Sequence, residues 1–495
     1  MNLIHRREFL ESSTALAAGF AALAAMNPLS ALAADKPTTE KPPTGPKLRV
    51  AIVGVRGRGM SHVGAFNGRN NCEIVAICDA DRGVITAAMN AVEKVNGAPP
   101  TYYQDIRKLL EDKTIDVVSI ATPNHWHALA AIWAMRAGKD VYVEKPVSHN
   151  VLEGRRIVQA ARHYKKICQA GTQSRSMTGM RSAIEHIHTG KIGKVSLAYG
   201  SCFKRRGSIG KVTGEQPLPK GIDYDLWCGP APMLPLMRKS LHYDWHWTYA
   251  YGNGDLGNQG IHEMDKARWG LGKKALPVSV FSDGGRFGYI DDGETANTQL
   301  SVFDYGDSEL MFEVRGLPSD TPHPQFEGKK GGNFVGNIWF GSEGLVICPS
   351  YSGGVAVDKD GKVLQTFKGG SENAHFDNFI AAVRSRRVES LNGDIEEGHL
   401  SSALCHLGNI SMLRGEKRLL SEITTVGKPK PVAAALTSML AHLKENNVDL
   451  TKTPMMVGES LSIDPKTEQF VGASAKANSM LTREYRKGFE IGDVG

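Results

Sequence analysis

A glycine-rich turn follows the first apolar run of the chain, at the point where a strand over 48–55 must give way to a helix. At such a junction, free backbone N–H groups and the positive end of the helix dipole can bind a pyrophosphate. The pattern departs from G-x-G-x-x-G because an arginine holds the second glycine position, but arginines here could add charge-assisted contacts to phosphate. We therefore predict a dinucleotide-binding turn, formed by Gly54, Arg56, Gly57, Arg58 and Gly59.

An acidic residue ends the second apolar run. Asp79 lies 25 residues after Gly54, where a carboxylate can accept hydrogen bonds from the adenosine ribose hydroxyls. A carboxylate at this position repels the 2′-phosphate of NADP, so the sequence favours NAD, with NADP left open by the nearby Arg82. The alternative role for Asp79 is that of an N-cap for the next helix.

The segments around these residues alternate between short apolar runs and amphipathic helix patterns. The predicted strands are 48–55, 73–79, 115–122, 140–145 and 167–173, and the predicted helices start after 59 and cover 85–95, 125–138 and 151–164. This alternation is typical of a parallel sheet with helices on both faces. We predict an α/β fold whose N-terminal domain, 48–173, is a doubly wound Rossmann sheet.

The pattern changes after about residue 174. Longer strand patterns appear at 195–202, 278–281, 298–303, 310–314 and 335–340, and helix patterns return at 375–386 and 398–413. We predict an α+β domain with an open, mostly antiparallel sheet over 174–425. Residues 426–495 form a C-terminal extension, expected to be an extended tail with one helix over 433–446.

The N-terminus carries an export pattern. Arg6 and Arg7 precede a weakly apolar, alanine-rich stretch that ends in Ala31-Leu32-Ala33. Twin arginines favour the Tat route, and the Ala-x-Ala offers a cleavage site. We predict a signal peptide over 1–34, a Pro/Thr/Lys-rich linker over 35–47, and a periplasmic or secreted protein; the alternative is a lipid-anchored or uncleaved helix. Tat export moves folded proteins, so a cofactor could travel already bound.

The composition of the chain narrows the class of protein and the partners that it can have. A chain of 495 residues with 41% hydrophobic residues indicates more than one folded domain, and no apolar run beyond the N-terminus is long enough to span a bilayer. The net charge of +7 is modest, and Lys204-Arg205-Arg206 is expected to be a solvated turn, so nucleic acid is not an expected partner. The seven scattered cysteines predict neither a disulfide framework nor a metal site.

Two further motifs follow later strands. They are Ala121-Thr122-Pro123-Asn124-His125-Trp126-His127 and Glu144-Lys145-Pro146, and a glycine-rich segment over 252–265 comes after them. Together with the glycine turn they resemble the Gfo/Idh/MocA oxidoreductase family over about 48–425, and most closely its secreted, Tat-dependent branch. The resemblance implies an NAD(P)-dependent enzyme that acts on a sugar or polyol, and a homodimer or homotetramer formed through the open sheet.

The resemblance also assigns the catalytic residues. Lys145 matches the family lysine that stands beside substrate and nicotinamide, where desolvation should lower its pKa for proton transfer. His262 matches the active-site histidine, which can hold or deprotonate the reacting hydroxyl. Sugar and polyol dehydrogenases often have a carboxylate four residues earlier, but this chain has Asn258, which cannot ionise. Asp265 is expected to orient its helix or pair with a neighbour.

Other candidates come from strand ends, which form the ligand crevice of such sheets. The residues expected to contact the cofactor are Thr122, Asn124, His127 and Glu144. Those expected to face the substrate are Gln173 and Arg175, with Asn258 and Asp265. His246 is expected to touch the substrate, and the flanking Trp245 and Trp247 are expected either to stack on a sugar or to pack in the core.

Three functions remain open. The first is hydride transfer between NAD(P) and a carbohydrate hydroxyl, with a tightly bound cofactor because an exported enzyme has no nicotinamide pool. The second is redox-assisted cleavage by a glycosidase or lyase, in which transient oxidation acidifies a neighbouring C–H and no cofactor is turned over. The third, supported only by Arg56 and Asn258, is a non-catalytic sugar-binding protein.

Overall fold

The N-terminal domain is a six-stranded parallel sheet. The structure, a computed structural model, describes residues 45–319, 334–492 and 494. The strands are β1 Leu48–Val53, β2 Cys72–Cys78, β3 Thr101–Tyr103, β4 Val117–Ile120, β5 Asp140–Val143 and β6 Cys168–Ala170. They are ordered β3-β2-β1-β4-β5-β6, and every neighbouring pair is parallel. This order is that of a doubly wound sheet, so the predicted Rossmann fold is confirmed.

Helices cover both faces of this sheet. They are α1 Arg58–Phe66, α2 Thr86–Asn96, α3 Ile106–Glu111, α4 Asn124–Arg136 and α5 Val151–His163. Two separate apolar clusters, one on each face, contain almost every strand residue, which is why these strands appear in the sequence as continuous apolar runs. The short β3 and α3 were not predicted, since three and six residues give too little periodicity.

The second domain is built on a larger, mixed sheet. Its strands are β7 Val195–Phe203, β8 Ser279–Gly285, β9 Thr298–Asp304, β10 Glu309–Arg315, β11 Phe334–Gly341, β12 Gly344–Cys348, β13 Gly354–Asp358, β14 Val363–Phe367, β15 Glu416–Leu419, β16 Pro454–Val457, β17 Leu461–Asp464 and β18 Gln469–Phe470. The pair β7–β10 is parallel, and the other described pairs are antiparallel. The predicted fold class is therefore confirmed.

Seven helices belong to the rest of the described chain. They are α6 Thr178–His188, α7 Tyr224–Cys228, α8 Gly254–Asn258, α9 Gly260–Gly270, α10 Asn373–Ser385, α11 Ile395–Leu413 and α12 Lys430–Glu445. Short 3-10 helices lie at Arg82–Val84, Gln173–Ser176, Asp244–Trp247, Val388–Ser390, Leu420–Glu422 and Gly472–Leu481. Helices α6, α9 and α11 cover one face of the large sheet, and α12 packs on the other. Helix α12 thus covers part of the face expected to mediate self-association, and the oligomeric state stays a prediction.

The C-terminal segment differs from the extended tail that we expected. Strand β16 pairs with β15 and β8, so the chain re-enters the large sheet. The last residues return to the N-terminal domain, where Phe489, Ile491 and Val494 are buried among the side chains of α3 and α4. The sequence from 426 onward is weakly periodic, and these contacts to distant parts of the chain leave no local pattern.

Further observations bear on the membrane-spanning segments, the basic turn and the N-terminus discussed from the sequence. In the part of the chain that the structure describes, no helix is both long and apolar enough to cross a membrane. The solvated turn expected at Lys204-Arg205-Arg206 is wrong, since Arg206 forms two 2.7 Å hydrogen bonds to the Asp255 carboxylate and Lys204 donates to Gln259. The predicted signal peptide and most of the linker lie outside the described residues.

Candidate functional site

The glycine turn lies between β1 and α1, as predicted. Gly54 has φ +80°, and a Cβ there would come 2.8 Å from the Ala121 backbone. At Gly59 a Cβ would meet the Gly54 carbonyl oxygen at 1.9 Å, so neither position accepts a side chain. Gly57 has φ +67° and open space around it. No side-chain cap bonds the first turn of α1 among the described residues, so its N–H groups can meet an anion.

The two arginines of the turn are placed differently. Arg56 is exposed at the turn. Arg58 instead donates from Nε to Glu144 Oε1 at 2.8 Å and from Nη2 to Glu372. These two ion pairs raise the pKa of Arg58 against the effect of its burial. Arg58 therefore links the phosphate end of the site to its catalytic end, and phosphate contacts by either arginine stay a prediction.

Asp79 stands at the end of β2, where the predicted ribose site should be. Its carboxylate accepts from Val55 N at 2.9 Å and from Asp81 N at 3.0 Å. Burial raises the pKa of Asp79, and these backbone bonds oppose that rise. The alternative N-cap role belongs to Asp81, which accepts from Gly83 N at 2.8 Å.

An open pocket with an empty volume of about 470 Å³ adjoins Asp79. Its lining comes from the first domain and from the 226–227 segment of the second: Val53, Gly54, Cys78, Asp79, Ala80, Gln104, Asp105, Ile106, Thr122, Pro123, Trp126, Ala130, Leu226 and Trp227. The Thr122 hydroxyl is buried there with no hydrogen-bond partner among the described residues. A carboxylate beside an apolar pocket next to a glycine turn fits the adenosine half of NAD.

Replacing Asp79 tests the coenzyme preference. In Asp79→Ser the affinity for NAD should fall about 10- to 100-fold, since a hydrogen bond to a charged group contributes about 1.5–3 kcal/mol. The affinity for NADP should fall less, because the repulsion of its 2′-phosphate is removed. Titration of each cofactor against wild type and variant measures both values; an unchanged NAD:NADP ratio would contradict the assignment.

Lys145 lies at the carboxyl end of β5, and its bond to Pro146 is cis. The ammonium Nζ donates to the backbone oxygen of Asn258 at 2.6 Å, which fixes the side chain against the end of α8. Burial lowers the pKa of Lys145, the neighbouring Glu144 opposes the shift, and the charge of Arg58 adds to it. The lowered pKa makes the neutral amine, the form that accepts a proton, more accessible.

Glu144 is held by four donors. They are Arg58 Nε at 2.8 Å, His62 Nε2 at 3.1 Å, Lys145 N at 3.2 Å and Gln173 Nε2 at 3.3 Å. Burial raises the pKa of Glu144, but the Arg58 charge and the His62 hydrogen bond outweigh it and hold the pKa well below its usual range. A fixed carboxylate here orients the strand end that carries Lys145.

His262 lies on the first turn of α9, close enough to Lys145 and Glu144 to interact with their charges. Its ring is 5.1 Å from the ring of Tyr351, centroid to centroid. Burial, and then the positive charge of Lys145, lower the pKa of His262 well below its ordinary value. The imidazole is therefore neutral at neutral pH, and it can accept or donate one hydrogen bond to a substrate hydroxyl.

The residues predicted to contact the nicotinamide form hydrogen bonds that connect separate segments of the chain. His127 contacts the Pro146 carbonyl at 2.6 Å and the Thr122 carbonyl at 2.7 Å, so it ties the loops after β4 and β5 together. Asn124 donates to the Asn253 side chain at 3.2 Å, which connects α4 to the segment before α8. Their contact with a cofactor stays a prediction.

The predicted substrate residues fall into two groups. Gln173 and Asn258 lie beside Glu144 and Lys145, at the catalytic end. Arg175 and Asp265 bind each other, with Nε–Oδ2 at 2.8 Å and Nη2–Oδ1 at 2.8 Å, and both are almost fully buried. Their placement favours a structural role, as proposed above for Asp265.

Three polar residues near His262 were not predicted. Lys204 Nζ donates to Gln259 Oε1 at 3.0 Å, and Gln259 in turn donates to the Tyr351 hydroxyl. Burial raises the pKa of Tyr351. Gln259 lies in the glycine-rich segment over 252–265 but was given no role there, and no motif marks Lys204, after β7, or Tyr351, in the turn after β12. His246 also lies near Lys145, whose charge, after burial, helps to lower the pKa of His246 to about 3.

The fold and the site together define a two-domain oxidoreductase with an NAD-binding Rossmann domain. Residues 48–172 match the model "Oxidoreductase family, NAD-binding Rossmann fold", and residues 191–336 match "Oxidoreductase family, C-terminal alpha/beta domain". The chain belongs to the Gfo/Idh/MocA oxidoreductase family.

Relatives and solved structures agree with this family. A glycosyl hydrolase family 109 protein of a Shewanella species is 38% identical over 179 residues, which are 34% of this chain and 39% of that protein. A Shewanella oneidensis protein named alpha-N-acetylgalactosaminidase is 37% identical over 179 residues, 34% and 39% of the two chains. The chain thus matches well under half of the length of these curated relatives.

The structure of the WlbA dehydrogenase from Bordetella pertussis, in complex with NADH and UDP-GlcNAcA, has the same fold. Its TM-score is 0.54 at 19% identity, covering 73% of this chain and 97% of the other. An oxidoreductase domain protein from Kribbella flavida has a TM-score of 0.55 at 18% identity, covering 74% and 97%.

Proposed function

We propose that this enzyme transfers hydride between tightly bound NAD and a hydroxyl of a sugar or polyol. The observation that carries the proposal is the convergence of two bases with lowered pKa values, Lys145 and His262, at the carboxyl edge of a dinucleotide-binding sheet. The oxidation of an alcohol requires an unprotonated base beside the hydroxyl, and a lowered pKa favours that form of both residues.

The cofactor and the protein supply different parts of the reaction. Bound NAD supplies the hydride acceptor. The neutral Lys145 amine takes the hydroxyl proton, and the neutral His262 imidazole holds the same hydroxyl in place. The ionised Glu144 stays beside Lys145 and stabilises the ammonium that forms, and reduction of a carbonyl runs the same steps in reverse.

A second candidate, redox-assisted cleavage of a glycoside, is favoured by the relatives. Two of them carry the names glycosyl hydrolase and alpha-N-acetylgalactosaminidase. Transient oxidation of a ring hydroxyl acidifies the adjacent C–H, which allows the glycosidic substituent to leave as its alcohol. Addition of water and return of the hydride complete the cycle with no net change in NAD. Asn258, which cannot act as a base, suits a site that departs from simple dehydrogenation.

Export supports a retained cofactor under either reaction. The twin-arginine segment in 1–34 supports a Tat-dependent location outside the cytoplasm, where no nicotinamide pool exists. An enzyme in that location must carry its NAD with it and close its redox cycle within the site.

Mass spectrometry of the purified, denatured protein tests the proposal. With no cofactor added during purification, near-stoichiometric NAD or NADH should be released. Single sugars that change the absorbance of bound NADH support the dehydrogenase, whereas cleavage of an aryl glycoside without that change supports the glycosidase. An empty site that also fails to bind added NAD contradicts both.

A further inference from the structure

A segment of the second domain forms part of the wall at the adenosine end of the NAD pocket. Residues 221–229, which we name the roof, include Leu226 and Trp227, and both line the same pocket as Asp79. Trp227 is 4% exposed, and its ring packs against those of Tyr224 and Tyr251, so the roof is held in place by apolar contacts within the second domain. The pocket is therefore lined by both domains.

The roof is bonded to the rim of the pocket. Asp223 N donates to the Ala80 carbonyl at 2.8 Å, and Arg82 N donates to the Gly221 carbonyl at 3.1 Å. The Gln104 amide donates to both acceptors, at 3.0 and 3.1 Å. Ala80 and Gln104 themselves line the pocket, so these bonds hold the roof directly over the cofactor site.

The roof also rests on α4. Trp126 Nε1 donates to the Leu226 carbonyl at 2.9 Å, and the His125 ring contacts the Trp227 carbonyl at 2.9 Å. Gly229 lies flat on the Trp126 indole, since a Cβ there would come within 2.3 Å of the ring. Any movement of the roof away from the pocket must break these contacts.

The C-terminal segment holds the roof and α4 together. In residues 483–491, which we name the strap, Arg486 Nη1 donates to the Asp225 carbonyl at 3.0 Å and the Gly229 carbonyl at 3.2 Å. Arg486 also pairs with the Asp225 carboxylate. Arg483 Nη2 donates to the His125 carbonyl at 2.9 Å. The strap thus bonds the middle and the C-terminal end of the roof, and the start of α4.

Phe489 anchors the strap. It is 3% exposed, and its ring lies 5.7 Å from Trp126 and 6.3 Å from Trp133, centroid to centroid. The guanidinium groups of Arg107 and Arg486 lie 5.1 and 5.2 Å from the same ring. Buried aromatic and cation–π contacts of this kind give a short segment a stable position.

We propose that the roof and strap retain the dinucleotide, so that NAD leaves only when the strap lets the roof lift. The inference rests on the retained cofactor of the proposed function and names the part of the chain that provides it. It also gives the C-terminal extension a role: the strap makes no contact with Lys145 or His262, and acts on cofactor exchange rather than on the chemical step.

Release of NADH from the full-length protein tests this inference. Protein loaded with NADH is mixed with excess NAD, and the loss of bound NADH fluorescence gives the release rate. Arg486→Ala should release NADH about tenfold faster than wild type, since interface changes act mainly on dissociation rates. Phe489→Leu, which keeps an apolar side chain but loses the ring contacts, should act in the same direction. Arg414→Ala, which removes an ion pair to Glu459 outside the roof and strap, should release at the wild-type rate.

The outcomes separate the two proposals. Faster release by both strap variants, with melting temperatures close to that of Arg414→Ala, supports the inference. Slow release by wild type and by both strap variants overturns it and leaves the proposed function intact. Rapid loss of NADH from the wild type itself overturns retention.

Discussion

Replacing Lys145 by methionine should lower kcat about 10²- to 10⁴-fold, the range expected when a general acid–base group is removed. Methionine preserves most of the apolar stem but has no amine to accept a proton, so the hydroxyl loses its main proton acceptor. Cofactor binding should change little, because the adenosine pocket and the glycine turn lie away from this side chain. The measurements are steady-state rates on the best sugar or glycoside and the NAD content of the purified variant.

Lys145→Arg is the matched control. Arginine keeps the positive charge and can still reach the Asn258 carbonyl, but it stays protonated at all accessible pH values, so its activity should fall as far as that of Lys145→Met. Rates of either variant within a few-fold of wild type, with NAD bound, would show that Lys145 only positions the strand end.

The pH dependence of the wild type adds a second check on Lys145. Burial lowers the pKa of its ammonium, and raising the pH converts this ammonium into the reactive amine. The oxidation rate should therefore rise with pH and level off below the ordinary lysine value of about 10.4. In Lys145→Met this rise should disappear, whereas a purely structural lysine would leave the profile of the residual activity unchanged.

The first domain was predictable because its signals are local. Parallel strands buried on both faces form continuous apolar runs, and the glycine turn and Asp79 lie at fixed offsets from them. The predicted strand over 73–79 differs by one residue at each end from β2, Cys72–Cys78. Lys145 and His262 were found through motifs that follow such strands or form a glycine-rich segment.

Helix α9, which carries His262, was indicated only by the family motif, and sequence periodicity did not predict it. Its residues Glu263, Asp265, Lys266 and Arg268 are charged but at most 1% exposed, so the helix has no polar face. Sequence periodicity assumes that charge faces solvent, and here charge is neutralised inside the protein instead. For the same reason Tyr351 and Gln259 were missed, since they are brought to His262 by packing between distant segments.

A second large effect, on the free energy of unfolding, is expected from the buried charges around α9. Asp265 accepts from Arg175 and from the Ser401 hydroxyl at 2.8 Å, while Arg268 and Arg175 both bind Glu397, at 2.6 and 3.1 Å. Burial raises the pKa of Glu397, but Arg268 and Arg175 outweigh it and lower the pKa to about 2. The network ties α9 to α11 and to the segment after β6.

Asp265→Ala should lower the free energy of unfolding by about 3–5 kcal/mol, because it leaves the buried Arg175 guanidinium without its main partner. Denaturant unfolding of wild type and variant measures the loss. Asp265→Asn keeps the size and the hydrogen bond from Ser401 but removes the charge, so it should lose most of the same stability. A loss below about 1 kcal/mol in Asp265→Ala would place this pair among weak surface ion pairs.

The double variant Arg175→Met, Asp265→Leu separates the network's charge from its packing. If the loss in Asp265→Ala comes from an unpaired buried charge, removing both charges should recover most of the stability, since apolar residues of similar size often replace a buried ion pair at little cost. Activity should respond differently from stability. The catalytic contribution of His262 depends on where α9 lies, and a variant can recover its free energy of unfolding while α9 is displaced. We expect the double variant to fold and bind NAD but to show a lower kcat, as the bidentate pair that orients α9 against the segment after β6 is gone. A double variant with wild-type kcat would show that packing alone positions His262.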